Sequence, residues 1–154
     1  MTPTVLSHVD PVGRTAVITT EFDHPVELVW TLFSDPTKLA RWWGPPGMPM
    51  TVDRHELRPG GTVVVTVMTD DGSIEGRWSV HTVDAPHRLT FAFESTGLEP
   101  TEITVDITAR SNTSATMQIT ARFATDDRLQ HALGIGFHEG LARSCAAAHE
   151  VVAS

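Results

Sequence analysis

"TEITVDITARSNTSATMQITARFATDDRLQHALGIGFHEGLARSCAAAHEVV", residues 101–152, changes its hydrophobic period once, and that change decides the fold. At first apolar and polar residues alternate: Ile103, Val105 and Ile107 point one way, Glu102, Thr104 and Asp106 the other. "SNTS" supplies a turn, after which Met117, Ile119 and Phe123 share a side. A period of two with one wet face predicts antiparallel strands joined by short turns. From about Asp126 to Val152 the period becomes helical, with Leu133, Phe137, Leu141, Ser144, Ala148 and Val152 in one stripe. That stripe is short of bulk, because Gly136, Gly140, Ser144, Cys145 and Ala148 lie on it. A helix with so little volume facing a sheet either packs very close or leaves a void.

Working upstream, the same alternation recurs. "RLTFAFES" (88–95) sets Leu89, Phe91 and Phe93 on one face, and "SIEGRWSVHTV" (73–83) does so for Ile74, Trp78 and Val80. "TVVVTVM" (62–68) aligns Val63, Val65 and Val67, and "MTVDRHEL" (50–57) precedes it. Pro and Gly then break the pattern in "GPPGMP" (44–49), which cannot continue a helix. Before it, "PTKLARWW" (36–43) and "HPVELVWTLFSD" (24–35) read as two short helices, with Pro25 and Pro36 at their starts. "RTAVITTEF" (14–22) is the first strand. The order is strand, two helices, six strands, long helix. It predicts an α+β protein, a curved antiparallel sheet of six or seven strands around a long C-terminal helix, with the two short helices closing one end.

The 154 residues suit a single domain, 1–154, with its core at about 14–152. A chain of this length buries roughly 68–70% of its unfolded surface, enough for a core with a cavity in it. Nineteen Asp and Glu against eleven Lys and Arg give a net charge of −8. That charge argues against partners such as nucleic acid or an anionic membrane surface. No apolar run approaches the ~20 residues of a membrane span. The N-terminal stretch has no basic and apolar pattern of a signal peptide, and Cys145 alone permits no internal disulfide. A cytoplasmic monomer or homodimer is the expectation.

Several stretches, in order and at their separations, carry a family resemblance. These are "PVELVWTLFSDPTKLARWWGP", "LRPGG", "DDGSIEGRW" with "VDAPHRLTFAF", and "GFHEGL". They resemble the family named for the activator of the heat-shock-protein-90 ATPase, within the START-like, birch-pollen-allergen-like (SRPBCC) superfamily. The resemblance spans about residues 14–150 and implies a helix-grip fold with a cavity between sheet and long helix. It implies no single activity, since one fold hosts many functions. Phe137 stands where the family more often has tryptophan, and Glu56 near where aspartate is common.

Thirteen residues are candidates for the cavity. Trp42 and Trp43 point about 100° apart on a helix, so one is expected to pack inward and the other to edge the cavity mouth. Met48 and Met50 add adaptable apolar surface. Val65, Trp78, Phe91, Phe93 and Met117 come from the inward sheet face, and Phe137, Gly140 and Leu141 from the helix. His55 is the polar candidate, while its neighbours Glu56 and Arg58 are expected to pair at an exposed edge. In the family resemblance "RPGG" is a structural turn, whose glycines permit positive φ.

Catalytic and metal motifs are absent from the sequence. His131, His138 and His149 share a helical face, but their offsets span about 10 and 27 Å along the axis. There is no Cys-x-x-Cys, His-Glu-x-x-His or Gly-x-Ser-x-Gly, and Cys145 reads as a packing residue. No cofactor and no metal are expected. The leading expectation is a protein that binds a small hydrophobic molecule, a lipid, polyketide or aromatic metabolite. An enzyme of cyclase or dehydratase type in the same cavity would need a buried acid or base, for which His55, His81 and Glu94 are the candidates. A co-chaperone-like interaction domain would instead show an exposed apolar patch.

Overall fold

The computed structural model describes residues 4–44, 47–96 and 98–154. Eight strands form one antiparallel sheet in the order β1-β2-β8-β7-β6-β5-β4-β3. They are β1 (Val5–Asp10), β2 (Thr15–Phe22), β3 (Met50–His55), β4 (Thr62–Thr69), β5 (Gly72–Asp84), β6 (Arg88–Ser95), β7 (Leu98–Ser111) and β8 (Ser114–Arg122). Helices α1 (Val26–Ser34) and α2 (Pro36–Trp42) follow β2, and α3 (Asp126–Gly134) and α4 (Phe137–Val151) end the chain. The alternating apolar residues all turn to one face: Val63, Val65 and Val67, Trp78 and Val80, Leu89 and Phe91, Ile103, Val105 and Ile107 are buried there. Register shifts in β3, β5, β6 and β7 insert extra residues, which bend strands and give the sheet its curl.

Two features depart from the sequence expectation. Strand β1 was not anticipated. It pairs with β2 alone, by backbone, and Leu6 on it is 64% exposed, so its side chains show little of the alternation that marks a buried strand. The second is a break in the C-terminal helix. Gly136 takes φ +81, a left-handed conformation that no helix interior contains, and it separates α3 from α4. Thr125 caps the start of α3 by accepting from the Arg128 N–H.

Helix α2 fixes the far end of α4. The Lys38 ammonium donates to the Val152 carbonyl and to Thr31 Oγ1, each at 2.8 Å. A cation at a helix C-terminus also meets the negative end of the helix dipole. Arg41 reaches the Ser154 hydroxyl nearby. Against the sheet, His149 stacks on Phe22 with ring centroids 4.2 Å apart. Thr20 donates its hydroxyl proton to the Thr4 carbonyl, so His149 donates Nε2–H to Thr20 Oγ1 at 2.8 Å.

That setting makes stability depend on pH. Burial holds the His149 pKa below the usual 6.5; His24 pushes it the same way and Asp23 opposes. The unfolded chain therefore takes up the proton first as pH falls. The stabilisation is complete above about pH 6.5 and is lost as pH drops from there through the lower folded-state value. Urea denaturation is expected to show a lower unfolding free energy at pH 5.5 than at pH 7.5. His149→Gln, whose amide can still donate to Thr20, is expected to shrink that difference. His138, also lowered by burial, supplies part of the remainder.

Candidate functional site: an apolar cavity between sheet and helix

A cavity of about 320 Å³ lies between the concave sheet face and α4. Its walls come from Trp43 at the end of α2, Met50 of β3, Val65 and Val67 of β4, Gly76 of β5, and Phe93 of β6. Phe137, Gly140, Leu141 and Ser144 of α4 close the other side, and Ile135 and Gly136 of the helix break stand at one edge. The void exists because the helix is small where it faces the sheet. A Cβ placed on Gly140 or Gly136 would meet nothing within 4 Å. On the sheet, Gly76 does the reverse and makes room for a neighbour. A Cβ there would come within 3.2 Å of the Phe93 ring and 3.0 Å of Val65. Its absence lets the Phe93 ring lie over the strand, where it stacks with Phe137 at 6.4 Å. Phe137 also meets Phe123 edge-on at 6.1 Å.

Eight of the thirteen candidates come together around this cavity: Trp43, Met48, Met50, Val65, Phe93, Phe137, Gly140 and Leu141. Met48 stands at the mouth, 45% exposed, beside the exposed Ile74 and Ile135. The other five lie elsewhere. Trp42 is buried, and its indole N–H donates to the Leu32 carbonyl at 2.8 Å. Its ring meets Trp43 edge-on at 5.6 Å, so both tryptophans join one aromatic cluster despite their adjacent positions. Trp78 and Phe91 stack face to face at 4.0 Å and 10°, filling the core beneath Trp43. Met117 is fully buried, and His55 is engaged by Nε2 with the Phe33 carbonyl at 2.9 Å. Residues 45 and 46 of the proline stretch lie outside the described residues.

Lining residues outside the thirteen candidates differ in how far the sequence signals them. Gly76 is an isolated glycine in a strand, a known mark of close approach by another group. Ser144 was visible only as part of the small stripe. Ser95, Thr96 and Leu98, at the β6–β7 turn, had none, since only the fold brings them to the helix break.

None of the described side chains lining the cavity carries a charge. The catalytic candidates sit outside it. His81 pairs with Glu102 at 3.0 Å on an exposed strand surface. Glu56 is held by Arg54 at 3.0 Å and by Arg58 at 3.4 Å; hydrogen bonding to Arg54 lowers its pKa. Cys145 is fully enclosed, and burial pushes its thiol up to about 12, which leaves it protonated and unreactive at neutral pH. Among the described residues no three His, Cys, Asp or Glu side chains converge on a metal-binding point. No described helix is long and apolar enough to cross a membrane. Chemically, such walls can remove an apolar molecule from water and align it; the polar side chains among the described lining are the hydroxyls of Ser95, Thr96 and Ser144.

A second, more open concavity of about 750 Å³ adjoins the first and shares Ser95 and Leu98 with it. Glu94, Glu99 and Asp127 line it, with Arg128 and His131. Arg128 forms an ion pair with Glu99. Although larger, it is a polar surface groove. The smaller cavity is the one walled by the sheet on one side and α4 on the other.

An antiparallel sheet curled about a C-terminal helix, with an apolar cavity between them, defines a helix-grip protein. Solved structures of similar shape include protein Ms6760 of Mycobacterium smegmatis, 29% identical over 96% of both chains with a TM-score of 0.86. A protein from Arthrobacter aurescens is 29% identical over 96% of this chain and 91% of that one, with a TM-score of 0.90. A Rhodobacter sphaeroides protein shares the fold at 16% identity, over 97% of this chain and 99% of that one, with a TM-score of 0.86. No curated protein matches the chain in sequence. The chain belongs to the family described as activator of Hsp90 ATPase homolog 1-like protein, whose model matches residues 23–150.

Proposed function

We propose that this protein binds a small, largely apolar molecule in the cavity between the sheet and α4. The observation that carries the reading is the space in front of Gly140, where a side chain would meet nothing within 4 Å although α4 is otherwise packed on the sheet. A void of about 320 Å³ falls in the range of small-molecule pockets, roughly 300–1,000 Å³. It is about twice the ~150 Å³ cavity that accommodates benzene, so a molecule of two or three fused rings fits it. The uncharged walls favour binding over catalysis.

A thermal-shift panel of aromatic polyketides, flavonoids, sterols and fatty acids tests this. A ligand at 100 times its Kd adds about 2.7 kcal/mol to stability. In a domain of this size the midpoint then rises by roughly 5–11 °C. Gly140→Phe is expected to abolish the shift by filling the void. It is expected to fold normally, because phenylalanine suits a helix better than glycine does. Flat curves for the whole panel, or a shift unchanged in Gly140→Phe, would remove the reading.

A further inference from the structure

At the α2–α4 end of the cavity, three oxygen acceptors share one proton. Ser144 is 3% exposed and lines the cavity. Its hydroxyl stands 3.3 Å from the Trp43 carbonyl and 3.3 Å from the Gly44 carbonyl. One O–H cannot serve both fully, and both separations are long for such a bond. Among the described residues no other N–H or O–H is directed at these two carbonyls, and none at the Ser144 Oγ lone pairs. The result is a largely buried surplus of acceptors at this end of the wall, away from the hydroxyls of Ser95 and Thr96 at the β6–β7 turn. A molecule that displaces solvent from this end must give back a donor or lose affinity.

Charge narrows the choice further. The described cavity walls hold no cation to receive an anion. The adjoining groove sets Glu94, Glu99 and Asp127 against Arg128 and His131, and the chain as a whole carries −8. A carboxylate entering the cavity would lose its hydration without a cationic partner, in a chain of net negative charge.

Resting on the ligand-binding reading above, we infer that the cavity selects an uncharged apolar molecule bearing a hydroxyl or comparable donor, which it gives to Ser144 Oγ. Ser144 is thus a specificity-determining residue, and carboxylates of the same shape are rejected.

Calorimetric titration at pH 7.5 with three probes of one ring system tests this. They are 2-naphthol, which can donate; 2-methoxynaphthalene, which cannot; and 2-naphthoate, which is charged. The wild-type protein is expected to bind the naphthol about 3- to 10-fold more tightly than the ether, as one neutral hydrogen bond allows. The naphthoate is expected to bind more than about 10-fold more weakly than the ether. Ser144→Ala is expected to erase the naphthol's advantage, read as the ratio of the naphthol and ether Kd values within the variant. If that variant loses the fold, Ser144→Cys, close in size and a poor acceptor, gives the same comparison. Equal affinities for naphthol and ether, a preference that survives loss of the hydroxyl, or naphthoate binding as tightly as the ether would overturn the inference. With binding still blocked by Gly140→Phe, those results leave the cavity reading intact. If neither the naphthol nor the ether binds the wild-type protein, the cavity reading fails and the inference fails with it.

Discussion

Trp78→Ala is expected to lower the unfolding free energy by about 3–5 kcal/mol, the cost of removing a large aromatic side chain from a packed core. Trp78 is fully buried, stacked on Phe91 at 4.0 Å and edge-on to Trp43 at 4.9 Å. It sits on a central strand, opposite Val63 of β4 and Phe93 of β6, so the ring is held on both flanks. None of these neighbours can collapse into the vacated space without distorting the sheet. The thermal midpoint should fall by roughly 6–20 °C, and urea denaturation should give the same ordering. Met48→Ala makes the contrast. Met48 lies at the cavity mouth, nearly half exposed, and its removal should stay within about 0.5 kcal/mol. The pair distinguishes core from cavity rim.

Gly61→Ala is the second large effect, expected to cost about 3 kcal/mol or more, at the upper end of overpacking penalties. A Cβ on Gly61 would fall well inside contact distance of the Glu56 carbonyl oxygen and 3.0 Å from that of Arg58. Both obstacles are backbone, and the backbone is pinned. The Gly61 N–H donates to the Arg58 carbonyl at 2.8 Å, and the Gly61 carbonyl accepts from Val80 N–H at 3.0 Å. Glu56 N–H donates to the Thr62 carbonyl at 3.0 Å, closing the loop from the other side. Gly60 beside it behaves differently. It takes φ +79, and a Cβ there meets open space, so Gly60→Ala should cost only the left-handed penalty of about 1–2 kcal/mol. Urea denaturation of the two variants should therefore rank Gly61 above Gly60. The reverse order would mean that backbone conformation, rather than close approach, governs this turn.

The "RPGG" turn also shows where sequence reading reaches its limit. A glycine pair announces a constrained turn, but positive φ and close approach leave the same letter. The structure assigns the first to Gly60 and the second to Gly61. Gly136 repeats the ambiguity. On the helical stripe it looked like a small packing residue, while its conformation actually ends one helix and starts another. The strands from residue 50 to 123 were legible because each alternates apolar and polar residues against one buried face. Strand β1 was not, because an edge strand held by backbone pairing needs little such pattern.

The cavity was half legible for a related reason. Alternation identifies which side chains point inward, but it cannot separate one that meets a neighbour from one that faces a void. Trp78, Phe91 and Phe93 obey the same rule. Trp78 and Phe91 consume each other's faces by stacking, and only Phe93, next to Gly76 and opposite Phe137, is left to line the space. Trp42 and Trp43 separate in the same way, through a hydrogen bond from Trp42 to the Leu32 carbonyl that no local pattern encodes. What the sequence did carry was the shortage of volume on α4, and Gly140 is where that shortage becomes open space.

The most direct test of the account is a crystal structure of the wild-type protein soaked with 2-naphthol. Density for the rings is expected between Phe93, Phe137 and Gly140, with the hydroxyl within hydrogen-bond distance of Ser144 Oγ. Density confined to the acidic groove of Glu94, Glu99 and Asp127, with the cavity unfilled, would contradict it.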